Sequence, residues 1–463
     1  MLNQLGIVSG KAAGATSRLL GRGGENIPGH VATLFDKKAL TKLASQVDHI
    51  ILITGTNGKT TVSNLIGSVM KDVEPYYVNN LDGSNLMQGI LSAFIKKTTL
   101  FGKIKATYAI LEVDEASLVH ILKHITPRLI CITNFFRDQL DRYGEIDALI
   151  QKLVDAIQPV DTTLLINSDD PFSYRFSQLG KDIHFFGCQE GAYDFEQSTM
   201  HDSKFCTCQK EFSYEFVHYG QLGAYTCSCG VKRPEPDFAV KKIVTDTGTS
   251  IFTNDGNYRT SLKGAYNAYN VMAAVAICKL LGIEEDLIQQ GVSSFHVQNG
   301  RMQTMFVNNV PYTINLVKNP QGMNSTLSTI VSEKEEKQVL FFLSDGDSDG
   351  KDISWIWDAD FEKLADQNIK KIIVSGKRAY PMAVRLKHAG LPADIIEVEQ
   401  NIGEAVLKSA KLNIPTFMIP NYTCLAPVLK TISENNDIFQ APAGAAQNGK
   451  SNRSLKRGRL TNG

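Results

Sequence analysis

The segment Gly55-Thr56-Asn57-Gly58-Lys59-Thr60-Thr61 follows directly on the apolar run Ile50-Ile51-Leu52-Ile53. A buried strand stops there, two glycines let the backbone turn, and Lys-Thr-Thr opens a helix. That succession belongs to α/β architecture. The N–H groups of such a turn and the positive end of the helix face one point and suit a polyphosphate. Lys59 would reach the terminal phosphates, and the Thr60 hydroxyl would ligate Mg²⁺. Only Thr56 and Asn57 separate the two glycines, a shorter spacing than in the Walker loop. An ordinary glycine turn before a helix is the plain alternative; the Lys-Thr-Thr and the preceding strand argue jointly against it.

The rest of the chain has the organisation such a loop needs. Its 463 residues exceed what one core accommodates, so two or three domains are expected. Strands are predicted at 50–54, 109–113, 129–134, 163–167 and 183–187, with helices at 62–70 and 148–157 between them. The alternation implies a parallel-rich sheet with helices on both faces. Residues 200–237 interrupt it as a small inserted module. Strands return up to 262, and a helix is expected over 266–281. A second α/β unit begins near 300, with strands at 338–343, 371–375, 395–398 and 416–419. The expected division is therefore 1–298 for an ATP-binding domain carrying the insert and 299–440 for a Rossmann-like C-terminal domain. Residues 441–463 are Ala/Gly/Asn-rich and then basic, a composition expected to be disordered.

Lys+Arg and Asp+Glu number 48 each, which disfavours a globally basic nucleic-acid binder. No stretch has the length of a membrane helix, and residues 1–22 lack the apolar core of a secretory signal. That segment reads as a surface-packed helix rather than a membrane anchor. Four of the eight cysteines sit together as Cys206, Cys208, Cys227 and Cys229. Without an export signal they read as a Zn²⁺ site, two Cys-x-Cys knuckles supplying four thiolates to a structural ion. The alternative is four incidental buried thiols.

Further segments carry a family resemblance. The phosphate loop is similar to the ATP loop of the Mur ligase superfamily. Glu112 in Leu111-Glu112-Val113-Asp114-Glu115 stands where that superfamily has its Mg²⁺-binding glutamate. Thr133-Asn134 through Asp141 is similar to another of its segments, with Gln139 in place of the usual His. Gly264-Ala-Tyr-Asn267-Ala-Tyr-Asn270 is similar to its adenine-contacting element, and Asn299-Gly300-Arg301-Met302 to the junction segment whose arginine meets the γ-phosphate. Asn315 and Lys318 replace the Asp and His of a further element. About 50 residues precede the loop, too few for the domain that grips UDP in many of these ligases, so a UDP-linked substrate is disfavoured.

Both tryptophans fall in Asp352-Ile-Ser-Trp355-Ile-Trp357-Asp-Ala-Asp360-Phe361. This segment and the cysteine module resemble the MurT group of the superfamily, ligase subunits of lipid II isoglutaminyl synthases in Gram-positive bacteria. With Pro420-Asn-Tyr-Thr423, the likeness covers nearly the whole chain before about 440. The resemblance implies an ATP-dependent ligase of peptidoglycan synthesis, working in the cytoplasm at the inner face of the membrane. It would amidate the D-glutamate α-carboxylate of lipid II through an acyl phosphate. Its implied cofactors are ATP, Mg²⁺ and Zn²⁺, and Gly55, Asn57, Gly58, Lys59, Thr60, Thr61, Glu112, Asn267, Asn270 and Arg301 would form the nucleotide site. Ammonia would come from a separate glutaminase, GatD, in a heterodimer, and Asp352 would complete the partner's Cys-His pair. No cysteine of this chain sits in a nucleophile elbow of its own. The competing expectation is a standalone ligase of the folylpolyglutamate or cyanophycin type, with an amino acid as nucleophile.

Overall fold

The computed structural model describes residues 2–19, 25–80, 84–136, 146–193, 203–245, 248–296, 302–307, 309–346, 349–365, 368–435 and 438–439. Arg301, Gln139 and the tail 441–463 lie outside them. The chain forms two compact units. The first takes in the described residues up to 296 together with those of 318–332 and 350–363; the second takes the described residues of 302–317, 333–349 and 364–439.

The first unit opens with three helices, α1 (Leu2–Leu19), α2 (Ile27–Phe35) and α3 (Ala39–Ala44). Then come β1 (His49–Thr54), α4 (Lys59–Val73), β2 (Val78–Asn79), α5 (Met87–Lys97), β3 (Tyr108–Glu112), α6 (Glu115–Ile121) and β4 (Leu129–Ile132). Next are α7 (Ile146–Ile157), β5 (Thr163–Asn167), β6 (Ile183–Cys188) and the hairpin β7 (Ser213–Tyr219) and β8 (Leu222–Thr226). β9 (Phe238–Thr245), β10 (Thr249–Thr253), β11 (Asn257–Thr260), α8 (Asn267–Leu280) and α9 (Glu285–Ser293) complete the run.

Among the described residues its sheet has nine strands in the order β11-β10-β9-β6-β5-β4-β1-β3-β2. In that order the strands from β9 to β2 run parallel, and β10 alone runs against them, pairing antiparallel with β9 and with β11 at one edge. Alternate residues of β1 serve opposite faces, as the pleat requires. Ile51 and Ile53 enter the core with α4 and α8, whereas Ile50 and Leu52 enter the core with α3 and α5. Two-sided burial explains the unbroken apolar run that marks this strand in the sequence. The strand expected over 129–134 ends at Ile132, because Thr133 and Asn134 turn away to hold the phosphate loop.

The second unit has β12 (Gln303–Val307) and β13 (Val310–Ile314) before α10 (Pro320–Ser332), which belongs to the first unit. It continues with β14 (Lys337–Phe342), β15 (Ile369–Ser375), α11 (Ala379–His388), β16 (Ile396–Val398), α12 (Ile402–Ser409), β17 (Thr416–Pro420) and α13 (Tyr422–Glu434). Its sheet, in the order β12-β13-β17-β14-β15-β16, is parallel apart from the β12–β13 hairpin.

Candidate active site and cysteine cluster

β1 lies between β3 and β4, and all three strands point their carboxyl ends at one edge. That edge is where open parallel sheets take their ligands. The loop leaving β1 depends on its glycines. Gly55 (φ 121°) and Gly58 (φ 92°) are in the left-handed region. A Cβ on Gly55 would stand 2.4 Å from Thr133 Oγ1, and one on Gly58 2.2 Å from Asn270 Oδ1. α4 starts at Lys59, and among the described residues no side chain caps it, so its first N–H groups face the edge.

The loop is clamped from β4. Asn57 N donates to Asn134 Oδ1 (3.0 Å), while Asn57 O accepts from Thr133 Oγ1 (2.8 Å) and Asn134 Nδ2 (3.1 Å). Asn319 Nδ2 donates to Asn57 Oδ1 at 3.1 Å. Among the described residues, Asn57 Nδ2 is buried with no hydrogen-bond acceptor. Such a donor costs about 1–3 kcal/mol, which a ligand oxygen would offset.

The acidic run after β3 is buried rather than solvated. Thr60 Oγ1 donates to Glu112 Oε2 at 2.6 Å, and Asn85 Nδ2 donates to Glu112 Oε1 at 2.8 Å. Asn80 fixes the Glu112 backbone through both its N–H and its carbonyl. Asp114 caps α6 through the Ser117 N–H. Glu115 receives the Lys59 ammonium at 3.1 Å. Burial pushes the Glu115 carboxyl up from its ordinary value, against the pull of Lys59 and Lys318. Lys59 also donates to the carbonyls of Gly55 and Thr56. It is therefore folded onto its own loop, within reach of the space a phosphate would occupy.

At the start of α8, Asn270 Nδ2 donates to Asn267 Oδ1 (2.8 Å) and Asn267 Nδ2 to the Lys263 carbonyl (2.7 Å). The contact of Gly58 with Asn270 brings this pair to the loop. The expected residues Gly55, Asn57, Gly58, Lys59, Thr60, Thr61, Glu112, Asn267 and Asn270 thus converge. Asp352 lies in a separate exposed segment, its Oδ1 accepting the Ser354 N–H at 2.8 Å.

The insert occupies the crossover from β6 to β9, two strands that pair directly. Its cysteines lie on two turns built alike. Cys206 N donates to Lys210 O and Gln209 N to Cys206 O; Cys227 N donates to Val231 O and Gly230 N to Cys227 O. Gln209 (φ 67°) and Gly230 (φ 99°) hold the same left-handed place in each turn. That residue closes the short Cys-x-Cys turn. The four Sγ atoms lie within 4.8 Å of one another, with Cys206–Cys229 at 3.7 Å and Cys208–Cys227 at 3.5 Å. A tetrahedral thiolate site with Zn–S of about 2.3 Å has sulfurs about 3.8 Å apart, so the cluster fits one ion. The Val231 N–H lowers the Cys229 thiol to about 7.

A second buried constellation has no signal in the sequence beyond Asn167-Ser168-Asp169-Asp170 at the end of β5. Asp169 accepts from Arg233 Nε (2.8 Å), Tyr269 Oη (2.7 Å), Ser168 Oγ (2.9 Å) and the Cys188 N–H (2.9 Å). His218 Nδ1 lies 2.9 Å from Tyr269 Oη. Burial alone would raise the Asp169 carboxyl, yet His218 and Arg233 hold it below its ordinary value. Arg233 and His218 belong to the insert and Tyr269 to α8, beside Asn267 and Asn270. Next door, Asp170 accepts the Phe135 N–H and the Ser173 hydroxyl, and burial pushes it up to about 6. The insert's turn residue Gln221 donates to Phe135 O at 2.5 Å. Phe136 exchanges hydrogen bonds with Thr56 of the phosphate loop.

Comparison with known proteins agrees with this geometry. The family described as Mur ligase middle domain matches residues 53–278, and that described as MurT ligase C-terminal matches residues 316–425. The lipid II isoglutaminyl synthase (glutamine-hydrolyzing) subunit MurT of Staphylococcus aureus (strain N315) is 41% identical over 92% of this chain and 96% of its own length. Its counterpart from Streptococcus pneumoniae is 38% identical over 88% and 91%. Among solved structures, a pseudomurein peptide ligase type C from Methanothermus fervidus superposes with a TM-score of 0.65 at 19% identity, covering 86% of this chain and 81% of its own. MurF ligase from Thermotoga maritima in complex with ADP gives 0.63 at 12%, covering 88% and 84%.

Replacing Arg233 by Met leaves the Asp169 carboxylate buried without its cation. The expected cost is about 3–5 kcal/mol, read as a lowered midpoint in denaturant unfolding; an unchanged midpoint would show that the ion pair does not hold the insert.

Proposed function

The chain belongs to the Mur ligase family, in its MurT group, and from that premise we propose that it is the carboxylate-activating half of a two-subunit amidotransferase. The substrate on this reading is the α-carboxylate of D-glutamate in the lipid II stem peptide, and the product is D-isoglutamine in peptidoglycan. One observation carries the reading. The uncapped N-terminus of α4, Lys59, Thr60 and Glu112 converge at the carboxyl edge of β1 and β3.

A carboxylate resists attack by nitrogen because oxide is a poor leaving group. Attack of its oxygen on the γ-phosphorus of ATP, with departure of ADP, gives an acyl phosphate. Ammonia then attacks the acyl carbon, phosphate leaves, and a proton is lost from nitrogen. In this chain Lys59 would leave Glu115 for the transferring phosphate, and the N–H groups of the loop would hold the phosphate chain. Mg²⁺ would neutralise phosphate charge, held by Thr60 and Glu112. These groups act by placing positive charge where negative charge develops. Asn267 and Asn270 are proposed to contact the adenine, and Arg301 to approach the γ-phosphate.

The nitrogen needs its own source, since ammonium at neutral pH holds the lone pair as a proton bond. A separate glutaminase of the GatD kind would release ammonia. Asp352, exposed and on a short loop, is proposed to orient the imidazole of the partner's Cys-His pair. The four cysteines are proposed to hold a structural Zn²⁺, since four thiolates leave no open ligand position. The reaction would run at the inner face of the membrane; among the described residues no helix is long and apolar enough to cross it.

Lys59→Ala is expected to lower amidation of lipid II with ATP and glutamine by at least about a hundredfold while the two-subunit complex still assembles; normal turnover in that variant removes the ATP assignment. Asp352→Asn should cut glutamine hydrolysis by the complex roughly a thousandfold or more, and full glutaminase activity would refute the shared triad. Metal analysis of the purified chain should return about one zinc, lost on Cys206→Ser with Cys229→Ser; a folded, zinc-free protein contradicts the site.

A further inference from the structure

The turn between α5 and β3 is unlike the rest of the surface. Residues 96–105 contain Lys96, Lys97, Lys103 and Lys105 and no acidic residue. At its tip Leu100 is 64% and Phe101 78% exposed. A soluble surface gains nothing from a leucine and a phenylalanine held out in water. The tip is nevertheless a built structure. Thr98 and Ile104 bridge across it, Thr99 N donates to Lys103 O in reverse sense, and Lys11 Nζ of α1 donates to the Thr98 carbonyl at 2.5 Å.

The apolar surface continues on the helices beside it. A Cβ on Gly102 would meet Ile7 of α1 at 2.9 Å, so the turn rests on that helix. α1 buries Ile7, Gly10, Gly14 and Ser17, and turns Leu5, Val8, Ala12 and Ala15 outward at helical spacing. Leu34, at the end of α2, is 86% exposed. Tyr76 stands at the rim, its hydroxyl on the Lys97 carbonyl and the Lys97 ammonium 4.9 Å over its ring. Of the acidic groups nearby, Asp36 pairs with Lys42 at 2.6 Å and Glu74 accepts the Thr107 N–H, while Asp48 and Asp72 are exposed.

We propose that this face, the 96–105 turn with the outer side of α1, docks the protein on an anionic lipid bilayer. Leu100 and Phe101 would enter the boundary between headgroups and acyl chains, and the lysines would lie against the phosphates. Tyr76 is suited to the headgroup level, with an apolar ring and a polar tip. The chemistry selects a membrane over a protein partner, because the turn joins four lysines, with no carboxylate among them, to a protruding apolar tip. The purpose of the docking, though not the binding, rests on the lipid-linked substrate proposed above. α2 begins next to the candidate active site: Ser84 Oγ donates to Glu25, just before this helix, at 3.2 Å, and the adjoining Asn85 holds Glu112. A bilayer lying along α1 and α2 would therefore pass beside the carboxyl edge of the sheet.

The test sediments the full chain with phosphatidylglycerol-containing vesicles and with pure phosphatidylcholine vesicles. Binding is expected to the first only, and to fall with added salt. Lys103→Gln with Lys105→Gln should weaken it on the order of fivefold per lysine, and Leu100→Ser with Phe101→Ser by about tenfold or more. Both variants should keep wild-type turnover of a water-soluble muropeptide in the assembled complex. Equal binding to both vesicle types, no binding, or variants that bind like wild type overturns the proposal. So does loss of the glutaminase partner from the Leu100/Phe101 variant, which would make the face a protein interface. Vesicle binding without any turnover of the soluble substrate would instead count against the proposed reaction.

Discussion

The peptide of Asn57 is held on both sides by the side chains of Thr133 and Asn134, and the candidate site depends on that clamp. A loop with two glycines in the left-handed region has no shape of its own to keep. Its geometry comes from β4, which stops at Ile132 so that the next two residues can turn inward. The clamp aims the end of α4 at the sheet edge and sets Lys59 over Glu115. Among the described residues, it also leaves Asn57 Nδ2 buried without an acceptor.

The clamp connects to the cysteine module through a continuous polar path. Thr56 is tied to Phe136, Phe135 to Asp170 and Gln221, and Asp169 to Arg233, His218 and Tyr269. Tyr269 lies on the same helical turn as Asn267 and Asn270. An insert far from the loop in sequence is thus fastened to two walls of the candidate site. Buried ion pairs gain little in net stability but are costly to break, so this path fixes position more than it adds stability.

Much of the first unit was legible because its signals are local. Unbroken apolar runs identified the central strands, since those strands are buried on both faces. Glycine spacing and Lys-Thr-Thr pointed to the loop after β1, and the paired cysteines pointed to the two turns whose thiols cluster. Asn80, Asn85, Asp169, His218 and Arg233 were not legible. Each acts through a partner tens of residues away, and none stands in a pattern that distinguishes it from an ordinary polar residue. The acidic run 112–115 was read only in part. Spacing could not show that Asp114 caps a helix while Glu115 receives the Lys59 ammonium.

By itself the sequence determined the α/β class, the glycine-bounded loop after β1 and the likeness to Mur ligases, because short-range backbone chemistry and strand burial are written in neighbouring residues. The tertiary structure alone decided which carboxylate meets Lys59, how the four thiols gather around one point, and that the 96–105 turn and α1 share one apolar, cationic face. Those are distances between segments far apart in the chain, and only the packing of the sheet and its helices sets them.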